Sequence, residues 1–170
     1  QGLRLIAKAM KVHRHCVSVQ AMACSALASL AATDDQCRHK LVRLGCHVLI
    51  RSAMLRFQNY VNVQCSGCAS LAYLSLHNYE NRQRIRQRGG IQAVQWALIS
   101  FPNNSELQHR GCYALQILSD KCTANAEVMA GSNGLETIVT AMRMHSENAD
   151  IQYFGCSAFL HVASVGEDLV

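Results

Sequence analysis

Proline, aromatic residues and unbroken apolar stretches are what this chain has least of. One proline, Pro102, stands among 170 residues, and aromatics make up 6%. With so little to interrupt helices, a composition rich in Ala, Leu, Cys, Gln and Arg favours helix. No apolar run reaches the roughly 18 residues that a membrane-spanning helix needs, and no secretory leader pattern opens the chain. These absences predict an intracellular, cytoplasmic protein without a transmembrane segment. The aromatic scarcity also argues against nucleic acid, whose binding sites interleave basic residues with stacking rings or belong to a known module. The nine cysteines are an odd number and lie mostly inside apolar helical patterns. They read as buried free thiols in a reducing compartment, not as a disulfide scaffold.

What the chain does have is repetition. The stretch Val19 to Leu30 (VQAMACSALASL) returns as Val63 to Leu74, as Leu107 to Leu118 and as Ile151 to Val162. The glutamines Gln20, Gln64, Gln108 and Gln152 are each 44 residues apart. Ala9, Ala53, Ala97 and Ala141 keep the same register, as do Gly45, Gly89 and Asn133. A fixed period of this size is the signature of a helical repeat array rather than a single-core enzyme fold.

One period, residues 79–120, divides into three helices. Asn81 to Arg88 forms a short helix with Ile85 inward, and Gly89-Gly90 ends it, because glycine takes turn conformations that other residues resist. Ile91 to Ser100 forms a second, with Ile91, Val94, Ala97 and Leu98 at spacings of three and four. After the loop Phe101–Ser105, with Ser105 as expected N-cap, a long third helix runs to about Ser119. Its inward stripe is Leu107, Gly111, Leu115 and Leu118. The other periods divide alike, with loops near 58–62 and 146–150 and short helices near 35–44 and 123–130. The first period lacks its short helix. Gly67, Gly111 and Gly155 sit mid-helix, where each costs about 0.5–1 kcal/mol against alanine, so a neighbouring helix is expected to approach closely there.

The motif Asn81-x-x-x-Ile85-x-x-x-Gly89-Gly90-Ile91 followed by Leu107-Gln108-x-x-Gly111-Cys112-x-Ala114-Leu115-x-x-Leu118 resembles the armadillo repeat family. The glycine pair between a short and a longer helix distinguishes that family from two-helix HEAT units. The resemblance covers nearly the whole chain and departs at Cys37, where the family often has Asn. It implies an all-α, right-handed α-solenoid of about four three-helix repeats in one domain, 1–170, with repeats at 1–33 (partial), 34–77, 78–121 and 122–165. Solenoids need polar caps. The partial first repeat, and the apolar Phe159, Val162 and Val165 near the end, read as a segment of a larger protein able to self-associate through its uncapped ends.

In armadillo proteins that grip extended peptides, the third helix carries a groove-facing Trp and, four residues on, an Asn. The resemblance puts those columns at Ser25, Ala69, Tyr113 and Ser157, and at Ser29, Tyr73, Ile117 and His161. Neither ladder is present, so nuclear-signal recognition is not implied. The implied groove lining is Met22, Ser25, Ser29, Ser66, Ala69, Tyr73, Arg110, Tyr113, Ile117, Phe154, Ser157 and His161. Tyr, Phe and Arg are types enriched at interface hot spots.

Other clusters read as structure. Cys24, Cys68, Cys112 and Cys156 recur at the period, but helices packed about 8–10 Å apart hold equivalent cysteines too far apart for disulfides. Cys65-Ser66-Gly67-Cys68 lies within a helix with no second pair to complete a zinc site. His13 and Cys16 are three apart, yet His13 shares a column with Phe57, Phe101 and His145, a half-buried helix-end position. Arg82, Arg84, Arg86 and Arg88 alternate around Ile85 and read as a solvated helix or a basic patch for an acidic partner. Residues 1–88 hold 13 Lys/Arg against 3 Asp/Glu, and residues 89–170 hold 3 against 8, so one half is basic and the other acidic.

No acid/base pair, metal set or phosphate loop recurs in a workable pattern, so neither an enzyme nor a cofactor is expected. The expected function is a protein- or peptide-binding scaffold with its site at Tyr73, Arg110, Tyr113, Ile117, Phe154, Ser157 and His161. The alternatives are a spacer within a longer array and an electrostatic binder using the basic half.

Overall fold

A computed structural model describes the backbone of residues 2–167 and the side chains of residues 2–164. Val165 therefore lies outside the described side chains. The described residues form eleven helices and no strand. In order they are α1 (Gly2–Val12), α2 (Val17–Ala31), α3 (Asp35–Arg43), α4 (Cys46–Arg56), α5 (Val61–Ser75), α6 (Tyr79–Gln87), α7 (Gly90–Ser100), α8 (Ser105–Ser119), α9 (Thr123–Gly131), α10 (Gly134–Met144) and α11 (Ala149–Glu167). The starts of α2, α5, α8 and α11 fall 44 residues apart, as do those of α3, α6 and α9 and those of α1, α4, α7 and α10.

Local chemistry sets these boundaries. Asp34, Asn78 and Asn104 are extended N-caps whose side chains accept from the amides of Cys37, Asn81 and Leu107. The cap of α8 is thus Asn104, and Ser105 is its first helical residue. The amide oxygen one position earlier reaches the third amide of the helix, which leaves the serine no capping role. Gly45, Gly89 and Asn133 all adopt left-handed backbone, with φ of 77°, 74° and 57°. That explains their shared column: a short helix must end there and the next begin at once, and Asn is the residue that best substitutes for glycine in this conformation.

The long helices pack in chain order, α2 on α5, α5 on α8 and α8 on α11. The second helix of each period packs against its own long helix, α1 on α2, α4 on α5, α7 on α8 and α10 on α11. One continuous apolar core runs through them, including Leu27, Leu41, Ile50, Leu71, Leu74, Ile85, Ile91, Leu107 and Leu115. Each fully buried Leu or Ile contributes about 1.5–3 kcal/mol.

Two polar clasps recur within that core. The four period-marking glutamines each donate from Nε2 to two backbone carbonyls at the end of the preceding helix. Gln20 reaches Met10 (3.0 Å) and His13 (3.0 Å), and Gln64 reaches Met54 (2.8 Å) and Phe57 (2.9 Å). Gln108 reaches Leu98 (2.9 Å) and Phe101 (3.0 Å), and Gln152 reaches Met142 (2.9 Å) and His145 (3.2 Å). The last carbonyls of a helix have no partner within it, and those of Met10, Met54 and Leu98 are bonded in buried surroundings, whereas the Gln152 pair is only partly buried. The second clasp closes the long helices. Asn81 Nδ2 donates to Leu74 O and Asn125 Nδ2 to Leu118 O, at 2.8 and 2.7 Å. The equivalent position at α3 is Cys37, which is a poor donor. There the next residue takes over, with Arg38 Nη1 donating to Ala31 O at 2.7 Å.

The mid-helix glycines admit side chains, not backbone. A methyl group on Gly67 would stand 2.5 Å from Met54 Cγ, and one on Gly111 would stand 2.7 Å from Leu98 Cγ. Gly155 receives Met142 in the same way. The intruding residue always comes from the second helix of the same period.

Candidate partner-binding groove

Three rings from three successive long helices meet, the first pair edge to face and the second tilted. Tyr73 on α5 and Tyr113 on α8 have centroids 6.1 Å apart, and Tyr113 and Phe154 on α11 have centroids 4.9 Å apart. Their sequence separations are 40 and 41, one helical turn short of the 44-residue period. The aromatic line therefore steps diagonally across the helices, back one turn at each. His109 stacks on Phe154 at 5.4 Å and Tyr153 flanks it at 5.5 Å. Aromatic pairs of this geometry are worth about 0.5–1.5 kcal/mol beyond their buried area.

Beside the line opens a cleft of about 570 Å3, lined by Ala69, Tyr73, Ser105, Glu106, His109, Arg110, Tyr113, Asn148 and Asp150. Its one cation, Arg110, is already paired. Arg110 donates to Glu106 through Nε at 3.0 Å and Nη2 at 2.6 Å. His109 Nε2 lies 3.7 Å from an Asp150 carboxylate oxygen. Burial, then the neighbouring Tyr73, pushes the Tyr113 hydroxyl above the ordinary tyrosine range, so it remains a neutral donor at physiological pH. The cleft thus offers aromatic faces, a closed Glu106–Arg110 pair and the Asp150 carboxylate beside His109.

The structure brings Tyr73, Arg110, Tyr113 and Phe154 together. It places the remaining expected residues differently. Ile117 is 8% exposed and belongs to the core, so it offers almost no surface to a ligand. Ser157 is half-buried further along α11. His161 lines a separate recess of about 250 Å3 with Ser119, Asp120 and Lys121. Its Nδ1 lies 3.1 Å from Ser119 Oγ and its Nε2 lies 3.8 Å from Asp120. His109, Glu106, Asp150 and Tyr153 were not expected. Two columns beside the aromatic line carried that signal: Ala21, Cys65, His109 and Tyr153, and Ser18, Asn62, Glu106 and Asp150.

The three arginines of α6 and Arg88, which caps its C-terminus, do not act together. Arg82 is 5% exposed and its Nη2 donates to Asp120 at 3.2 Å, so it is taken out of any surface patch. Arg84 is tied to Glu80 at 2.7 Å one turn earlier. Arg86 is half-buried and Arg88 exposed.

All nine cysteines are free. Cys24 and Cys112 are buried, and burial pushes each thiol up to about 12. Cys46 rises to about 11 and Cys68 is driven up as well. Cys156, in the same column as Cys24, Cys68 and Cys112, is exposed, because no further long helix covers that face of α11 among the described residues. Alkylation of the native protein at neutral pH, followed residue by residue by mass spectrometry, is expected to label Cys16 and Cys156 first. Cys24, Cys68 and Cys112 are expected to react only on unfolding. Among the described residues, no group of three or more His, Cys, Asp or Glu side chains lies close enough to hold a metal ion, and no helix is long and apolar enough to cross a membrane. A larger cleft, about 870 Å3, opens between the start of α1 and α3, lined by Leu3, Arg4, His39, Lys40, Arg43 and Leu44 among others. It shares no lining residue with the cleft beside the aromatic line.

The class that these observations define is an all-helical protein built on a repeating three-helix pattern. Neither the family models nor the curated proteins compared with the chain include a match. Its structure is similar to the crystal structure of an engineered protein from the Northeast Structural Genomics Consortium, with a TM-score of 0.83 and 20% identity over 96% of this chain. The chain spans 63% of the length of that engineered chain. At this identity the likeness bears on the helical fold alone.

Proposed function

We propose that the chain is a non-enzymatic scaffold: a right-handed solenoid of armadillo-type repeats that holds a protein segment along the aromatic line Tyr73–Tyr113–Phe154. The carrying observation is that line itself, three half-exposed rings in mutual contact beside an open cleft. Half-exposed tyrosine and phenylalanine give large contact area at small entropic cost, and such residues dominate binding energy at interfaces. At the rim Arg110 is closed onto Glu106, and the line itself is aromatic, so the segment it suits is one anchored by apolar side chains. The absence of a Trp/Asn ladder supports a helical or apolar-anchored ligand over an extended backbone-gripped peptide. The free thiols suit an intracellular, cytoplasmic setting.

The test is selection of peptides from a random display library on the wild-type chain, then titration of the best binder against a Tyr113→Ala/Phe154→Ala double variant. Affinity is expected to fall at least 30-fold, in line with two hot-spot residues worth about 1–2 kcal/mol each, while circular dichroism is unchanged. Equal affinity in a folded double variant would refute the site.

A second reading has one observation in its favour. On α11, Cys156 and Leu160 are exposed, Leu160 by 68%, although their counterparts on α2 and α5 are buried by the following long helix. That face suits a spacer role, with another helical unit or a second copy stacked on it.

A further inference from the structure

Residues 44 apart occupy equivalent places, so the junction where each second helix meets the next turn can be compared between units. Ala7, Arg51 and Gln95 are equivalent, and so are Leu44, Arg88 and Ser132. Where α7 meets the α9–α10 turn, the two positions form a neutral hydrogen-bonded pair: Gln95 Nε2 donates to Ser132 Oγ at 3.0 Å, and Oγ is 3.2 Å from Gln95 Oε1. Where α1 meets the α3–α4 turn, they are Ala and Leu, with no charge. Where α4 meets the α6–α7 turn, both are arginine. The Arg51 guanidinium lies across the backbone of Gly89, close enough that a methyl built there would stand 3.3 Å from Nε and 3.5 Å from Nη2. Arg88 is the residue immediately before.

Among the described residues, no ion pair balances these two charges. Glu80 is the only acidic residue between Asp35 and Glu106, and it is engaged by Arg84. Neither Arg51 nor Arg88 has an acidic partner among the described residues. Arg51 Nε is buried without a hydrogen-bond partner. One turn before Arg51, His47 is 7% exposed and its Nδ1 is also unpaired. Burial, then the charges of Arg88 and Arg84, holds its affinity for a proton below that of an ordinary histidine, so of the two arginines at this junction His47 feels Arg88, while it lies one turn from Arg51 on α4. The start of α7 has no side-chain cap and adds the positive end of a helix to the same place. Arg51 Nε and His47 Nδ1 are unpaired, the exposed Arg88 adds a second positive fork beside Gly89, and the helix start adds to the same sign. A dianion with several acceptor oxygens relieves all of them, and the planar guanidinium is the side chain best matched to phosphate.

We propose that the junction of α4 with the α6–α7 turn binds a phosphate group between Arg51 and Arg88, either as free phosphate or as a small phosphomonoester. The site is on different helices from the aromatic line and stands or falls without it. The neighbouring junction supplies the control. Arg51→Gln with Arg88→Ser rewrites this junction as its neutral counterpart, Gln95 and Ser132, and so is expected to fold.

Thermal unfolding is measured at constant ionic strength, with potassium chloride replaced stepwise by inorganic phosphate or by O-phosphoserine. The wild-type chain is expected to show a saturable rise in Tm. The double variant is expected to melt no lower than wild type in chloride and to lose that rise. In parallel, the His47 ring resonances of the wild type are expected to shift with phosphate, a readout that needs no variant. The probe that saturates at the lower concentration identifies the source. A wild-type response to both probes no greater than to chloride, with unmoved His47 resonances, would overturn the proposal, as would a folded double variant that keeps the full rise.

Discussion

Gln64→Glu is expected to lower the free energy of unfolding by about 2–4 kcal/mol, read from urea denaturation, although the side chain keeps its length and shape. Gln64 is fully buried in α5, and its amide donates to Met54 O and Phe57 O. Phe57 O also receives the amide of Tyr60, whereas Gln64 supplies the side-chain donor that Met54 O has at the end of α4. A glutamate offers oxygens where a donor is required. If ionised, it faces two carbonyls in a site closed to water. If protonated, it supplies one donor where the amide supplied two. The same change at Gln152, which is half-buried on α11, is expected to cost less, because water reaches the freed carbonyls. A ranking in which Gln152→Glu is the more damaging would contradict this account of the clasp.

Gly111→Ala is the second large effect, and its sign is the informative part. In an open helix, replacing glycine by alanine gains about 0.5–1 kcal/mol. At Gly111 the added methyl meets the Leu98 side chain, whose Cγ would be 2.7 Å away, and Leu98 is itself buried between α7 and α8. Overpacking of this kind costs about 1–3 kcal/mol, so a net loss is expected, and a larger one for Gly111→Leu. Leu98→Ala alone is expected to lose about 2–5 kcal/mol by leaving a cavity. Combining it with Gly111→Ala is expected to lose less than the sum of the two, since the new methyl enters the space vacated. Strict additivity in that double-mutant cycle would mean that the two residues do not share the space.

Much of the helical layout was legible, because repetition shows the same boundary several times. The column Gly45, Gly89 and Asn133 marked the left-handed turns before their φ angles were known. The glutamine column marked the period but not its purpose: recurrence shows that a residue is needed, whereas its partners ten and seven residues earlier appear only in three dimensions. Ser105 and Asn104 are both good capping residues, and the sequence does not rank neighbours that differ by one position.

The site was legible in part, for geometric reasons. Tyr73 and Tyr113 sit in different columns and Phe154 in a third. Comparing equivalent positions therefore separates rings that touch, since the line they form slips one turn per unit. Ile117 shares a column with Tyr73 and His161 yet is covered by its neighbours. Arg82 looked like a member of an arginine run, but its partner Asp120 is 38 residues away, at the far end of the same unit.

The most direct test of the central claim is an NMR footprint. A peptide selected on the intact chain is titrated into isotope-labelled protein, and the perturbed resonances are mapped. The binding reading predicts that shifts concentrate on Tyr73, Arg110, Tyr113 and Phe154 and on the neighbouring turns of α5, α8 and α11. Shifts confined to α1, α4, α7 and α10, with those four residues unmoved, would contradict it.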